Sequence, residues 1–531
     1  MFARTLILLA SLLLFPAQAY AGPKIETWTT SNGAKVMFVE APAIPMLDVR
    51  IVFNAGSARD GSLPGLALMT NMLLNDGAGK LTADQLAEGF ESLGAQFATS
   101  ALRDMAIVTL RTLTEDEVQR QSLALLEQVL TKPTFANDEI ERRRLQMRVG
   151  LEKQRESPSA TAKNRFFESL YGDHPYAHDP GGNDESIDAM TREDILDFFK
   201  RYYVASNAVI AIVGAVDRKR AEEIAEELTR NMPAGEKAPP LPKVTLPEKG
   251  DELAVNFPSS QTHIYMGQPV MARGDEDFFP LYVGNHMLGG SGLVSMLSDQ
   301  VREQRGLAYS VYSYFSQMQN KGPFVFNAQT RTDRAHETLA VIRETLEGFM
   351  KDGPDEDRLT SARKNITGSF PLQTSSNANI VEYIAMMGFY DYPLDYLDTF
   401  VDKVNAVTAG DIRDAFRRRV NPDAFLVVTV GKNDTGCRGR PAATASGSSA
   451  GRVAAGYCSL PMRPGSGRQR TGCVRRSSTG SSSRFMARAV WTCSQDPVCL
   501  ASRRLRAAQA MSSWSNRPGV SLPCWRRTGC S

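Results

Sequence analysis

The stretch Thr191–Gly214, TREDILDFFKRYYVASNAVIAIVG, aligns without a gap on Thr408–Gly431, TAGDIRDAFRRRVNPDAFLVVTVG. Eight residues recur at the constant offset of 217: Thr, Asp, Ile, Asp, Phe, Arg, Val and Gly. Each copy opens on a threonine with an aspartate three residues on, the pattern of a helix N-cap that satisfies first-turn N–H groups. Amphipathic helical spacing follows, then a short loop and an apolar run of strand length that closes on glycine. One helix–strand unit thus ends two consecutive parts of the chain. A repeat at this distance predicts two related α+β domains, each completing its sheet with the repeated strand.

Around the first copy, strand patterning covers Lys35–Glu40, Leu47–Asn54 and paired strands within Gln96–Leu113. Helical patterning covers Leu63–Asn75, Ala83–Leu93, Glu115–Leu130 and Asp138–Gln154. The Pro-rich run Pro233–Pro247 reads as a linker. The second half repeats the plan: a strand over Leu253–Gly267, helices over Phe278–Leu288 and Leu293–Glu303, and paired strands over Ala308–Gln329. Helices over Thr332–Asp352 and Asp355–Phe370 follow. The expected domains are therefore 25–230 and 251–433, with 231–250 between them.

The two ends read differently. Arg4, the apolar run Leu6–Phe15 and small residues at Ala17, Ala19 and Ala21 form a secretory signal over residues 1–21. Export, most simply to a bacterial periplasm, is expected, with no stable membrane insertion. All seven cysteines lie beyond Asp434, where sixteen arginines accompany no lysine and a single acid, Asp496. That composition cannot bury enough apolar surface to offset its ordering entropy. It reads as a low-complexity tail or an out-of-frame C-terminus, and carries no function here. A formal net charge of +2 gives no ground for a nucleic-acid partner.

Two segments carry a family resemblance. Asn54–Gly77, NAGSARDGSLPGLALMTNMLLNDG, resembles the zinc-binding segment of the pitrilysin/insulinase family, mitochondrial processing peptidase included. The likeness lies in the Gly-Leu-Ala lead-in and the closing glycine. Active members carry His-x-x-Glu-His there: two imidazoles on one helix face bind zinc, and the Glu acts as general base on its water. The matching residues are Leu68, Asn71 and Met72. The family's third ligand, a Glu in the helix before a Ser-Pro-type pair, falls at Val149 or Gly150, ahead of Ser157–Pro158. No zinc or other cofactor is expected in this chain. His174 and His178, in His-Pro-Tyr-Ala-His-Asp-Pro, read as part of a Pro/Gly-rich turn rather than as ligands.

The second segment, Leu288–Tyr314 (LGGSGLVSMLSDQVREQRGLAYSVYSY), resembles the family's C-terminal-domain signature, with Arg302 and Tyr309 flanking Gly-Leu-Ala. Gly289–Gly292 lacks the Lys-Ser/Thr of a phosphate loop and reads as a turn. In the family the Arg and Tyr hydrogen-bond substrate backbone near the scissile carbonyl and stabilise its developing charge. The resemblance implies two duplicated α/β-sandwich domains of the metalloenzyme LuxS/mitochondrial processing peptidase-like type. It further implies a non-catalytic, substrate-binding subunit of a periplasmic heterodimeric zinc metalloendopeptidase. Arg302 and Tyr309 would then act in trans on an unfolded peptide, with zinc held by a homologous partner subunit. The alternative is an inert structural or peptide-binding scaffold of the same fold.

Overall fold

The computed structural model describes residues 23–432, all within one compact unit. The expected signal, residues 1–21, and the tail from 434 onward lie outside the described residues. Two sheets organise the fold. The first contains β1 (Glu26–Thr29), β2 (Lys35–Glu40), β3 (Met46–Phe53), β4 (Gln96–Ala101), β5 (Ala106–Leu113) and β6 (Ala208–Gly214), in the order β1-β2-β6-β3-β5-β4. The second contains β7 (Asp251–Asn256), β8 (Gln261–Met271), β9 (Ala308–Phe315), β10 (Gly322–Arg331) and β11 (Leu426–Gly431), in the order β9-β10-β8-β11-β7.

Counted within each half from β2 and from β7, both sheets run first, last, second, fourth, third, and β1 is the one addition. In both, the first and last strands are parallel, with Lys35 beside Val209 and Asp251 beside Leu426, and the other pairs are antiparallel. The repeated sequence unit is thus the visible end of a repeated topology.

The first-half helices are α1 (Leu66–Leu73), α2 (Ala83–Ser92), α3 (Asp116–Thr131), α4 (Asn137–Arg155), α5 (Pro158–Tyr171), α6 (Asp184–Ala189), α7 (Arg192–Tyr202) and α8 (Arg218–Thr229). The second half has α9 (Phe278–Asn285), α10 (Ala335–Asp352), α11 (Glu356–Gln373), α12 (Asn377–Phe389), α13 (Tyr396–Ala406) and α14 (Ala409–Arg419). Both repeated helices start with a capping box. Thr191 accepts from Asp194 N and Thr408 from Asp411 N, while each aspartate accepts from its threonine's backbone N–H.

Two expectations need correction. The strand expected over Leu253–Gly267 is two strands, because Pro258 has no N–H to give and Phe257 N–H already bonds Gly431 O. The helix expected over Leu293–Glu303 begins as a 3₁₀ turn, Gly292–Val294, and ends in wide π-type turns over Ser298–Glu303.

Each sheet is covered on one face by its own half and on the other by a helix from the opposite half. On β2, Val36 and Phe38 face the first-half core, whereas Met37 and Val39 face α12 and the second-half cluster. On β6, Ile210 and Ile212 split from Val209, Ala211 and Val213 in the same way. This is the two-residue period of a strand, and burial on both faces is why β6 reads as an unbroken apolar run. In return α5 lies on the outer face of β8 and β11, where Phe166 and Phe167 join Tyr265, Val428 and Val430. Helices α5 and α12 hold corresponding places in the two halves, so the exchange is reciprocal.

Polar contacts fasten it. Arg50 pairs with Glu382 at 3.1 Å, and Lys35 Nζ donates to Gly388 O and Asp391. At Gly388 a Cβ would sit 2.6 Å from Val209 Cγ1, so only glycine lets α12 come this close to the sheet. Asp104, 4% exposed, accepts from Tyr176 OH (2.6 Å), Gln319 N (2.7 Å) and Tyr390 OH (3.0 Å), which draws both halves onto one carboxylate. Burial pushes its pKa above the ordinary carboxylate range despite those donors.

Candidate functional site

On α1, Leu68 and Met72 lie four apart and so share a helix face. Both are partly buried against the first-half core. An alkyl group and a thioether replace the two imidazoles. Asn71 is 1% exposed and turns into the core, where its Nδ2 donates to Tyr203 OH (3.2 Å) and Ile107 O (3.4 Å). Its Oδ1 is buried without a hydrogen-bond partner. An amide held this way cannot take a proton from a water molecule as a carboxylate would. Opposite, α4 presents Val149, an exposed alkyl group, and Gly150, where an added Cβ would meet open space. These residues do not fit zinc.

Helices α1 and α4 are joined by charge instead. Asp76, just past α1, accepts from Arg142 Nη2 (2.6 Å), Arg143 Nε (2.5 Å) and Arg143 Nη2 (2.7 Å), all from α4. The start of α1 is fixed by buried Asp60, which accepts from Gly65 N and Ala67 N, both at 2.7 Å. His178 Nε2 stands 3.1 Å from the same carboxylate, and burial pushes the Asp60 pKa up. His174 Nε2 bonds Pro242 O at 2.9 Å. Both histidines of the His-Pro-Tyr turn therefore secure backbone and carboxylate groups. Among the described residues no three His, Cys, Asp or Glu side chains are grouped to hold a metal ion.

The second-half pair is brought together. Arg302 sits in the wide turns of Ser298–Glu303, and its Cζ lies 5.4 Å from the ring centroid of Tyr309. Such π-type turns recur at functional sites. Tyr309 is the extra residue of a β-bulge: Ala308 pairs with Thr330 and Ser310 with Gln329, leaving Tyr309 without a partner on β10. A bulge re-aims its side chain, and Tyr309 is 78% exposed. Upstream, Gly289 packs against β9 so tightly that a Cβ would lie 2.2 Å from Ser313 Oγ. Arg302 and Tyr309 line an open groove with Gln261, Gln329, Thr330 and Arg331. Sequence reasoning missed Gln261 and Arg331, because the pairing of β8 with β10 that sets them face to face is not visible locally.

The two interlocked halves share one topology, and the comparisons with known proteins place that architecture in a family. The insulinase model (peptidase family M16) matches residues 35–179, and the peptidase M16 inactive domain model matches residues 189–366. The latter match begins before the repeated helix–strand unit of the first half and runs on into the second. A solved structure of a peptidase M16 inactive domain from Pseudomonas fluorescens is 38% identical, with a TM-score of 0.75 over 77% of this chain and 98% of that one. A Helicobacter pylori protein described as a non-peptidase homolog, YmxG, is 24% identical over 76% of this chain and 94% of its own length. A Bacillus subtilis protein described as an uncharacterized zinc protease, also YmxG, is 22% identical over 76% and 98%. This chain belongs to the peptidase M16 family. At the positions of the zinc motif it carries Leu68, Asn71 and Met72. No helix of the described residues is long and apolar enough to cross a membrane.

Proposed function

We propose that this chain is the non-catalytic subunit of a heterodimeric zinc metalloendopeptidase of the periplasm. It supplies Arg302 and Tyr309 in trans to a zinc-bearing M16 partner. The observation that carries the reading is the contrast between the two sites. Leu68, Asn71 and Met72 are absorbed into packing, while Tyr309 stands out of its strand on a bulge beside Arg302.

The guanidinium offers fixed, charged donors and the phenol a neutral one, the types that stabilise a developing oxyanion. Zinc and the general base belong to the partner. This chain binds and orients an extended, unfolded peptide. The finer fold assignment, the LuxS/mitochondrial processing peptidase-like type, is part of the same proposal. A purely structural scaffold of this fold would give no reason for an exposed tyrosine to be held beside a guanidinium.

Reconstitution tests the reading. Mixed with an M16 relative from the same cell that carries an intact His-x-x-Glu-His, the protein should convert weak or absent cleavage of unstructured peptides into steady turnover. No gain with any such relative would sink it and favour the scaffold.

A further inference from the structure

We propose that the groove beside Tyr309 selects peptides that carry a carboxylate, and that Arg331 is the residue that reads it. The inference rests on the reading above that this groove holds a peptide, and goes beyond it by naming what the peptide must contain. The two charged side chains among the lining residues are Arg302 and Arg331, and no carboxylate of the described residues lines the groove.

The backbone sets them on separate walls. Arg302 comes from the wide turn leading into β9. Arg331 ends β10, with its Cα in register with Gln261 of β8. Between them, Gln329 Nε2 donates to Gln261 Oε1 at 2.5 Å, which joins the two amides to each other. Each guanidinium keeps donors in hand. Asp333 accepts from Arg331 Nε (3.1 Å) and Nη2 (2.6 Å), leaving Nη1. Glu303 stands 3.4 Å from Arg302 Nε, leaving both terminal nitrogens. The Arg331–Asp333 pair is exposed, and an ion pair of that kind holds weakly enough for a ligand to share or displace it; Arg302 is half-buried beside exposed Glu303. A ligand carboxylate that meets the remaining donors of Arg331 gains charge-assisted hydrogen bonds that an amide of the same shape does not.

The chemistry assigns separate tasks. Arg302, beside Tyr309, faces the peptide backbone, and Arg331 faces a side-chain or terminal carboxylate nearby. Arg331 is therefore a specificity-determining residue rather than a catalytic one.

The test is peptide binding by the full chain without any zinc subunit, read by fluorescence anisotropy. Labelled unstructured peptides would differ only by Asp or Asn at one position, scanned along the sequence. At one position the Asp peptide should bind about tenfold tighter, as expected for a hydrogen bond to a charged group. Raising the salt should shrink that gap. R331Q should abolish the preference, so that the Asp and Asn peptides bind alike, and R331E should reverse it in favour of the Asn peptide. An unchanged melting temperature shows that each variant is folded. Equal binding of Asp and Asn peptides at every position overturns the proposal, as does a preference that survives R331Q, or no binding of either peptide. Activity in the reconstituted pair is measured separately, so loss of carboxylate selection leaves the in-trans reading standing, and failed reconstitution leaves the binding result standing.

Discussion

Between their second and third strands the two halves use the same interval of chain differently. In the first half this interval opens on one 3₁₀ turn, Ser57–Arg59, then forms two regular helices, α1 and α2, joined by a short hairpin, and enters β4 without a bulge. In the second it starts with α9, loosens into 3₁₀ and π-type turns, and enters β9 through a bulge at Tyr309. The regular version buries Asn71 and packs Leu68 and Met72 on its core. The irregular version keeps Arg302 and Tyr309 in a groove open to solvent. Regular backbone maximises hydrogen bonds and packing, and departures from it persist where the surroundings hold them in place. The irregularity has gathered in the half that retains polar groups suited to a ligand.

Changing either member of the pair tests that contrast most severely. In the reconstituted complex, Arg302→Ala should lower turnover about 100- to 1000-fold, the usual cost of losing an oxyanion donor. Tyr309→Phe should cost less, because a neutral donor is weaker than a charged one. Neither should move the melting temperature much. Full peptide cleavage by both variants would remove the functional side of the comparison.

The next effect is on the seam between the halves. Asp104→Ala strips an acceptor from three donors and should cost about 3 kcal/mol in urea unfolding at neutral pH. The sign of its pH dependence follows from burial. Because the folded pKa of Asp104 is raised, the folded state holds the proton more tightly than the unfolded chain. The contribution is therefore greatest below the unfolded value of about 3.9 and is lost as pH rises through the folded one. The stability gap between wild type and the Asp104→Ala variant should widen on acidification. A constant gap would show that the carboxylate titrates as it does in water.

Gly388→Ala should cost about 1–3 kcal/mol by overpacking α12 against Val209 and Met37. Gly368→Ala on neighbouring α11, whose Cβ would meet nothing within 4 Å, should be neutral or stabilise by up to about 1 kcal/mol. Equal melting temperatures for the two variants would refute the close seat of α12. The smallest effect tests the likeness of the halves rather than their difference. Thr191→Ala and Thr408→Ala should each cost about 1 kcal/mol, because both remove the same capping box. A large inequality in thermal unfolding would show that the repeat is a resemblance of letters only.

Much of this was legible in the sequence. A short apolar run placed Lys35–Glu40, and the threonine caps located α7 and α14 to within a residue. The loss of the zinc residues could be read directly at Leu68, Asn71 and Met72. The exchanged helices α5 and α12 were not assigned, although both start with serine caps: Ser157 accepts from Ala160 N and Ser376 from Asn379 N. Their faces are divided between a foreign sheet and their own half, which blurs the single apolar stripe that marks a surface helix. The bulge at Tyr309 was equally hidden, since Ala-Tyr-Ser-Val alternates well enough for a flat strand. Registers between distant strands, and with them the place of Arg331, depend on pairings that no local pattern encodes.

The exchange of α5 and α12 also sets a timetable for synthesis. When Gly214 leaves the ribosome, every strand of the first sheet exists, but the helix that covers its outer face is not yet made. About 175 residues separate Gly214 from Phe389 at the end of α12. At roughly 5–20 residues per second, that interval lasts about 9–35 s. For that time Met37, Val39, Val52, Val209, Ala211 and Val213 form an uncovered apolar surface on a nascent chain. A holdase that recognises aliphatic strand faces would shield that surface until α12 is made.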